Sequence, residues 1–219
     1  MKIAISGKMG SGKTYLAENI SKKYGFYKAS FAGRVKELAS ELFNMRGKDR
    51  GLLINFATKM REIDEEVWIR SMMKNIHYKK NVIVDDLRLK NEYDKLRKNG
   101  WYIIKLDIDE ERRKLQLKDK YGVDEAYQHI AYSNSVTEND VVGLSDESFD
   151  LVIRTKEDYA IFDSMVSTYL KEKEKGVRDR DRVGTYGDGR YDTDYDSNED
   201  LVLGNEYDSN DKWAYRRRI

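Results

Sequence analysis

Met1-Lys-Ile-Ala-Ile-Ser-Gly7-Lys-Met-Gly10-Ser-Gly12-Lys13-Thr14 is the stretch on which the fold turns. Lys2 to Ser6 alternates polar residues with β-branched or small apolar ones, the pattern of a short buried strand. Gly7 to Thr14 fits G-x-x-x-x-G-K-[ST], and a helical pattern follows to Tyr24 with Leu16, Ile20 and Tyr24 on one stripe. Strand, glycine loop and helix in that order are what a phosphate-binding loop requires. Backbone N–H groups turn inward to an anion, and the new helix points its positive end at the same place. The expected contacts with a nucleoside triphosphate are Gly7, Gly10, Ser11, Gly12, Lys13 and Thr14. Lys13 is expected at the β- and γ-phosphates and the Thr14 hydroxyl on Mg²⁺, so the expected cofactors are ATP and Mg²⁺.

Outward from that loop, apolar runs predict further strands at Phe26–Ala29, Asn81–Asp85, Trp101–Leu106 and Phe149–Ile153. Between them, helical spacing predicts Arg34–Phe43, with Val35, Leu38, Ala39 and Leu42 on one face. One or two helices are expected over Leu52–Asn75, where Phe56, Met60, Ile63, Val67, Trp68 and Met72 recur at helical spacing. Asn91–Lys98, the charged stretch Asp109–Tyr121 and a closing helix Asp158–Lys175 complete the pattern. Strands alternating with helices imply an α/β fold of three layers around a mostly parallel five-stranded sheet.

Composition narrows the function classes. With 41 basic and 40 acidic residues in 219, the net charge is +1, which gives no argument for nucleic-acid binding, and none is expected. Cysteine is absent, which removes disulfides and thiolate metal sites and fits a reducing compartment; a cytoplasmic location is expected. No apolar run approaches the length of a membrane span, and the chain starts directly in a strand, so no membrane partner is expected. From Gly176 the sequence turns rich in Asp, Arg, Gly and Tyr and poor in aliphatic residues, too little apolar surface to offset ordering entropy. The expected division is a nucleotide-binding domain over 1–175 and a low-complexity, disordered tail over 176–219.

A phosphate loop does not name the acceptor. Val84-Asp85-Asp86-Leu87-Arg88 follows a central strand, where acidic groups lie beside the loop at the topological switch point. Asp86, with Asp85 as second choice, is placed to assist the metal or orient an acceptor, and Arg88 offers a planar fork for an acceptor phosphate. His77 and His129 have no companions at ligand spacing and read as surface or structural residues.

Together these segments resemble the deoxynucleoside monophosphate kinases of the type found in large phages, over most of residues 1 to 170. Ser30-Phe-Ala-Gly33-Arg-Val-Lys36 resembles that family's F/L-A-G/D-P-L/I-K segment. Arg50-Gly-Leu-Leu with Thr58, Arg61 and Trp68 resembles its R-x-L-(L/M)-Q-x-x-G-T-x-x-x-R stretch, and Asp86-Leu-Arg88 with Asn91-Glu92 its D-x-R-x-x-N-E motif. Ser135-Val-Thr-Glu138 and Phe149–Ile153 resemble the downstream S/T-E segment and the last strand. Arg34 and Lys90 stand where the family has proline, Ile54 where Gln is usual, Ala57 where Gly is usual, and Arg154-Thr155 where an Asn-Asp or Asn-Gly turn lies near the adenine. The change to Ile54 falls near the acceptor pocket, so base preference does not carry over.

The resemblance implies a P-loop kinase fold with a helical acceptor-binding insert and a short lid, and phosphorylation of a (deoxy)nucleoside monophosphate to the diphosphate by ATP. Lys13, Asp86 and Arg88 would be catalytic, with Thr14 and Asp86 on the metal. Phe31, Lys36, Arg61, Asp85 and Arg88 would bind the acceptor. Phe31 has two readings, stacking on the base and plain core packing. Arg112 and Arg113 lie where such kinases place a mobile lid, although Glu110-Glu-Arg-Arg-Lys also reads as an ordinary solvated helix start. Arg154 could stack on adenine or simply be solvated. The resemblance further implies a viral source, hence a host cytoplasm, deoxynucleotide metabolism and a homodimer. Two other readings stay open: a related small-molecule kinase acting on dephospho-coenzyme A or phosphomevalonate, and a nucleotide-dependent switch or nucleic-acid-handling P-loop protein that hydrolyses ATP without a small acceptor.

Overall fold

The computed structural model describes residues 1–47, 49–132 and 140–183, and Met1–Asp179 packs as one compact unit. Five strands form it: β1 (Lys2–Ser6), β2 (Tyr27–Ala29), β3 (Val82–Val84), β4 (Tyr102–Leu106) and β5 (Leu151–Ile153). All pairings are parallel, as the sequence pattern implied, and the strands lie in the order β2-β3-β1-β4-β5. The register sets Ala4 against Val84 on one side and against Ile103 on the other. The chain goes from β1 to the edge strand β2, fills the gap with β3, and then crosses β1 to β4, leaving a crevice at the carboxyl end of β1.

Side-chain alternation along the strands makes the layers. Ile3 and Ile5, with Ile83, Ile104 and Leu106, face α1 (Lys13–Tyr24) through Leu16, Ala17 and Ile20, and the last helix, α8 (Lys156–Val183), through Phe162 and Val166. Ala4, Val82, Val84 and Ile103 face the opposite layer, α4 (Val67–Ile76) and α5 (Lys90–Lys98), through Ile69, Met72, Ile76, Tyr93 and Leu96. Between β2 and α4 lie α2 (Phe31–Phe43) and α3 (Arg50–Ile63), which share a small core with the start of α4: Val35, Ala57 and Trp68. The Trp68 indole N–H donates to the Ala57 carbonyl at 3.1 Å, and its ring packs edge-on against Phe56. Truncating such a side chain costs about 3–5 kcal/mol, so Trp68 is the pin of this insert.

Several boundaries depart from expectation. The 52–75 region, expected as one or two helices, is two, broken where Asp64 accepts from the Glu66 N–H at 3.0 Å. Helix α2 starts at Phe31, three residues before the predicted Arg34, because Asp86 anchors its first turn from outside the segment. Leu42 and Ile63 match helical spacing but stay exposed, so the apolar stripes of α2 and α3 are shorter than predicted. After α6 (Glu110–Tyr121) comes an unpredicted helix, α7 (Val123–Tyr132), separated from it by Gly122. Helix α8 continues to Val183 rather than stopping at Lys175; its Lys-, Glu- and Arg-rich end favours helix and contains no proline. Ser135–Glu138 and the rest of the tail lie outside the described residues. Among the described residues no helix is long and apolar enough to cross a membrane.

Candidate active site

Because every strand runs the same way, the segments leaving β2, β3, β1, β4 and β5 line one edge of the sheet in that order. The phosphate loop is central, flanked by Asp85–Arg88 and by the Leu106–Asp109 turn.

The loop is shaped by contact. Gly7, at φ 151°, lies so close beneath β4 that a Cβ would meet the Leu106 carbonyl oxygen at 2.5 Å. At Gly10, φ 83°, a Cβ would meet the Leu117 side chain at 2.6 Å. Leu117 belongs to α6, so that helix rests directly on the loop. Arg113 of the same helix is 2% exposed; its guanidinium donates to the Met9 carbonyl at 2.7 Å and makes a two-pronged pair with Glu110 at 2.6 and 2.9 Å. That pairing holds the Glu110 carboxyl below its ordinary pKa. Lys13 is buried and donates to the Gly7 carbonyl and, at 2.8 Å, to that of Lys8. The Ser11 hydroxyl is buried without a protein partner, as is that of Ser6 at the end of β1.

These features fit a phosphate. An orphaned hydroxyl, a lysine and the start of α1 converge on a loop whose glycines admit close approach. Thr14, in the first turn of α1, is exposed and open to a ligand. Among the described residues no cluster of three or more His, Cys, Asp or Glu forms a protein-only metal site. A Mg²⁺ carried by nucleotide phosphates needs one or two protein ligands and keeps several waters, which this site can supply.

The other side of the crevice is organised by the carboxylates after β3. Asp86 accepts from the Ser30 hydroxyl at 2.6 Å and from the Phe31 and Ala32 N–H groups at 3.1 and 2.9 Å. It is the external cap of α2, which ties the 30–36 segment to the 85–92 segment. Asp85 pairs with Lys28 of β2 at 3.2 Å. Phe31, 3% exposed, lies in the apolar layer with Ile69, Met72 and Val84, so packing is its role here and its ring presents no open face to a base. Lys36 is exposed and lines a cavity of about 320 Å³ with Ser40, Met45, Arg46, Gly47 and Leu53. Arg61 is partly buried, and that burial lowers its pKa against the attraction of Glu92.

The remaining expected residues are separated. Arg112 is exposed on α6 while its neighbour Arg113 is turned inward to the loop, so the two do not act as a matched pair. Arg154, at the end of β5, bridges Asp146 and, at 3.2 Å, Asp107; that pairing raises its pKa. Sequence reasoning missed the loop-bracing role of Leu117 and Arg113, which arises only when α6 folds over the loop. It also gave no role to Glu92, whose place in the 88–92 stretch was the available signal.

A family model described as an AAA domain matches residues 3–153. Solved structures similar to this chain include TT1252 from Thermus thermophilus, at 17% identity, covering 78% of this chain and 97% of that one with a TM-score of 0.50. A shikimate kinase from Bacteroides thetaiotaomicron is similar at 12% identity, with 76% and 98% covered and a TM-score of 0.48. A gluconokinase from Sinorhizobium meliloti 1021 follows at 14%, with 78% and 96% covered and a TM-score of 0.46. At such identities the likeness is one of fold. No curated protein matches the sequence.

Proposed function

Because the chain belongs to the AAA domain family, we propose that its phosphate loop serves a kinase, which transfers the γ-phosphoryl group of ATP to a (deoxy)nucleoside monophosphate. The observation that carries this is the Asp86 anchor. It draws the 30–36 segment against the 85–92 segment, so Lys36 and Arg88 belong to elements fixed to each other beside the phosphate loop. A nucleotide switch needs the loop; it has no need of a basic segment anchored beside it.

An oxygen of the acceptor's phosphate attacks the γ-phosphorus, and the bond from that phosphorus to the β,γ-bridging oxygen breaks, releasing ADP. The attacking group is already an anion, so positioning and charge neutralisation matter more than a strong base. Lys13 leaves its carbonyl partners to follow the β- and γ-phosphates, and the loop's N–H groups with Ser11 hold the rest. Arg88, Arg61 and Lys36 hold the acceptor's phosphate. Asp86 fixes the α2 start and would back a bound Mg²⁺; Asp85, paired with Lys28, is the poorer candidate. Bound Mg²⁺, held by Thr14, would neutralise charge on the transferred group. Exposed Arg112 is the lid residue that can reach the nucleotide, and Arg113 braces the loop beneath it. Arg154 lies at the adenine end, held by its two carboxylates. Residues 184–219 take no part in turnover.

A coupled ADP-release assay with ATP and Mg²⁺ against a panel of ribo- and deoxyribonucleoside monophosphates, dephospho-coenzyme A and phosphomevalonate tests the proposal. At least one monophosphate should stimulate ADP release well above the acceptor-free rate. Stimulation by none of them would sink the monophosphate reading, and release independent of any acceptor would favour a switch.

A further inference from the structure

One buried carboxylate remains without a role in that scheme. Glu92 is 3% exposed, at the third position of α5, and a single oxygen of it accepts from the Leu89 and Arg88 N–H groups at 3.1 Å each. The Leu89 bond is the ordinary back-reach of a third-position Glu to its helix cap. Caps of this kind are normally solvated, and desolvating an ionisable group for a cap worth about 1 kcal/mol is a poor exchange. The second bond, to the backbone of Arg88, is what the cap does not require. It fixes the residue whose guanidinium is meant for the acceptor, one step beyond the Asp86 anchor. Glu92 is also within electrostatic reach of Asp86 and of half-buried Arg61, one of the groups assigned to the acceptor. Asn91 adds to the hold: its side-chain oxygen accepts from the Glu92 N–H at 2.8 Å, and its amide nitrogen donates to the Glu65 carbonyl at 3.1 Å, in the turn between α3 and α4.

We infer that Glu92 is a positioning residue for the acceptor's phosphate: its buried carboxylate clamps the Arg88–Leu89 backbone and sets the Arg88 guanidinium toward the acceptor. The inference rests on the monophosphate kinase reading for its substrate, and on the structure for the clamp. Glu92 itself touches no substrate; it acts through Arg88.

The test separates these two layers. Because both N–H groups bond to one oxygen, the carbonyl of a Gln can take both, whereas Ala can take neither. Glu92→Ala should raise the acceptor KM at least tenfold while leaving the ATP KM within about twofold, and Glu92→Gln should bring the acceptor KM back to within about threefold of wild type. A wild-type acceptor KM in Glu92→Ala overturns the inference. Loss of ATP and acceptor affinity together, or no recovery in Glu92→Gln, also overturns it by reducing Glu92 to a fold residue. Failure of the functional reading appears differently, as a wild-type protein that turns over no monophosphate. The clamp is then read by amide hydrogen exchange at Arg88 and Leu89, expected at least tenfold faster in Glu92→Ala than in Glu92→Gln; equal rates would refute it.

Discussion

Around the phosphate loop the holding is done by backbone and close packing, whereas on the acceptor side it is done by buried and half-buried charge. Gly7 lies under the Leu106 carbonyl, Gly10 against Leu117, and Arg113 grips the Met9 carbonyl. Opposite, Asp86 holds the start of α2 and Glu92 holds the Arg88 backbone. The first arrangement tolerates few side chains and adds to its packing one buried guanidinium, Arg113, paired with Glu110. The second depends on two carboxylates, Asp86 and Glu92, that accept from backbone N–H groups at the start of α2 and just before α5.

The comparison breaks most sharply at Lys13. Lys13→Ala should lower turnover by about 10³-fold, of the order seen when a key charge-stabilising donor is lost, with the fold retained. Steady-state rates and circular dichroism check it; substantial residual turnover would mean the loop does not organise the donor. Trp68→Ala probes the other side by packing: a loss of about 3–5 kcal/mol is expected from chemical denaturation, with ATP affinity changing far less than acceptor affinity.

A pH series is the next test. Burial pushes the Glu92 pKa from 4.5 up to about 7, against its two backbone hydrogen bonds and the attraction of Arg61, with nearby Asp86 adding to the rise. Between those values the unfolded chain releases a proton that the folded one keeps, so stability falls as pH rises through the window. The full cost is about 3 kcal/mol above pH 7. Denaturation midpoints measured from pH 4.5 to 8 should show that decline, and Glu92→Gln should flatten it. Lys13→Ala, which keeps Glu92, should show the same decline as the wild type. Arg88→Ala should have the smallest effect, a 10- to 100-fold rise in acceptor KM (about 1.4–2.7 kcal/mol) with an unchanged ATP KM. Equal acceptor KM values would remove Arg88 from the site.

The same difference explains what the sequence made legible. Glycine spacing writes the phosphate loop into a contiguous stretch, and the apolar runs of β1, β3 and β4 give the sheet, so fold and loop were readable. Phe31 was readable as either a stacking or a packing aromatic, and the choice of packing depends on α4 closing over it. Arg112 and Arg113 are adjacent and alike in sequence; only the rotation of α6 over the loop sends one to solvent and one to Met9. Leu42 and Ile63 fit the helical period, yet no element covers them among the described residues. Asp86 reaches α2 across more than fifty positions, a link that no local pattern encodes.

The central claim is that a monophosphate acceptor faces Lys13 across the crevice, and label transfer tests it most directly. Incubation with ATP labelled in the γ-phosphate, Mg²⁺ and each monophosphate should yield a labelled nucleoside diphosphate in at least one case, lost in Lys13→Ala and reduced at low acceptor concentration in Arg88→Ala. Label found only in free inorganic phosphate, for every acceptor, would contradict the account.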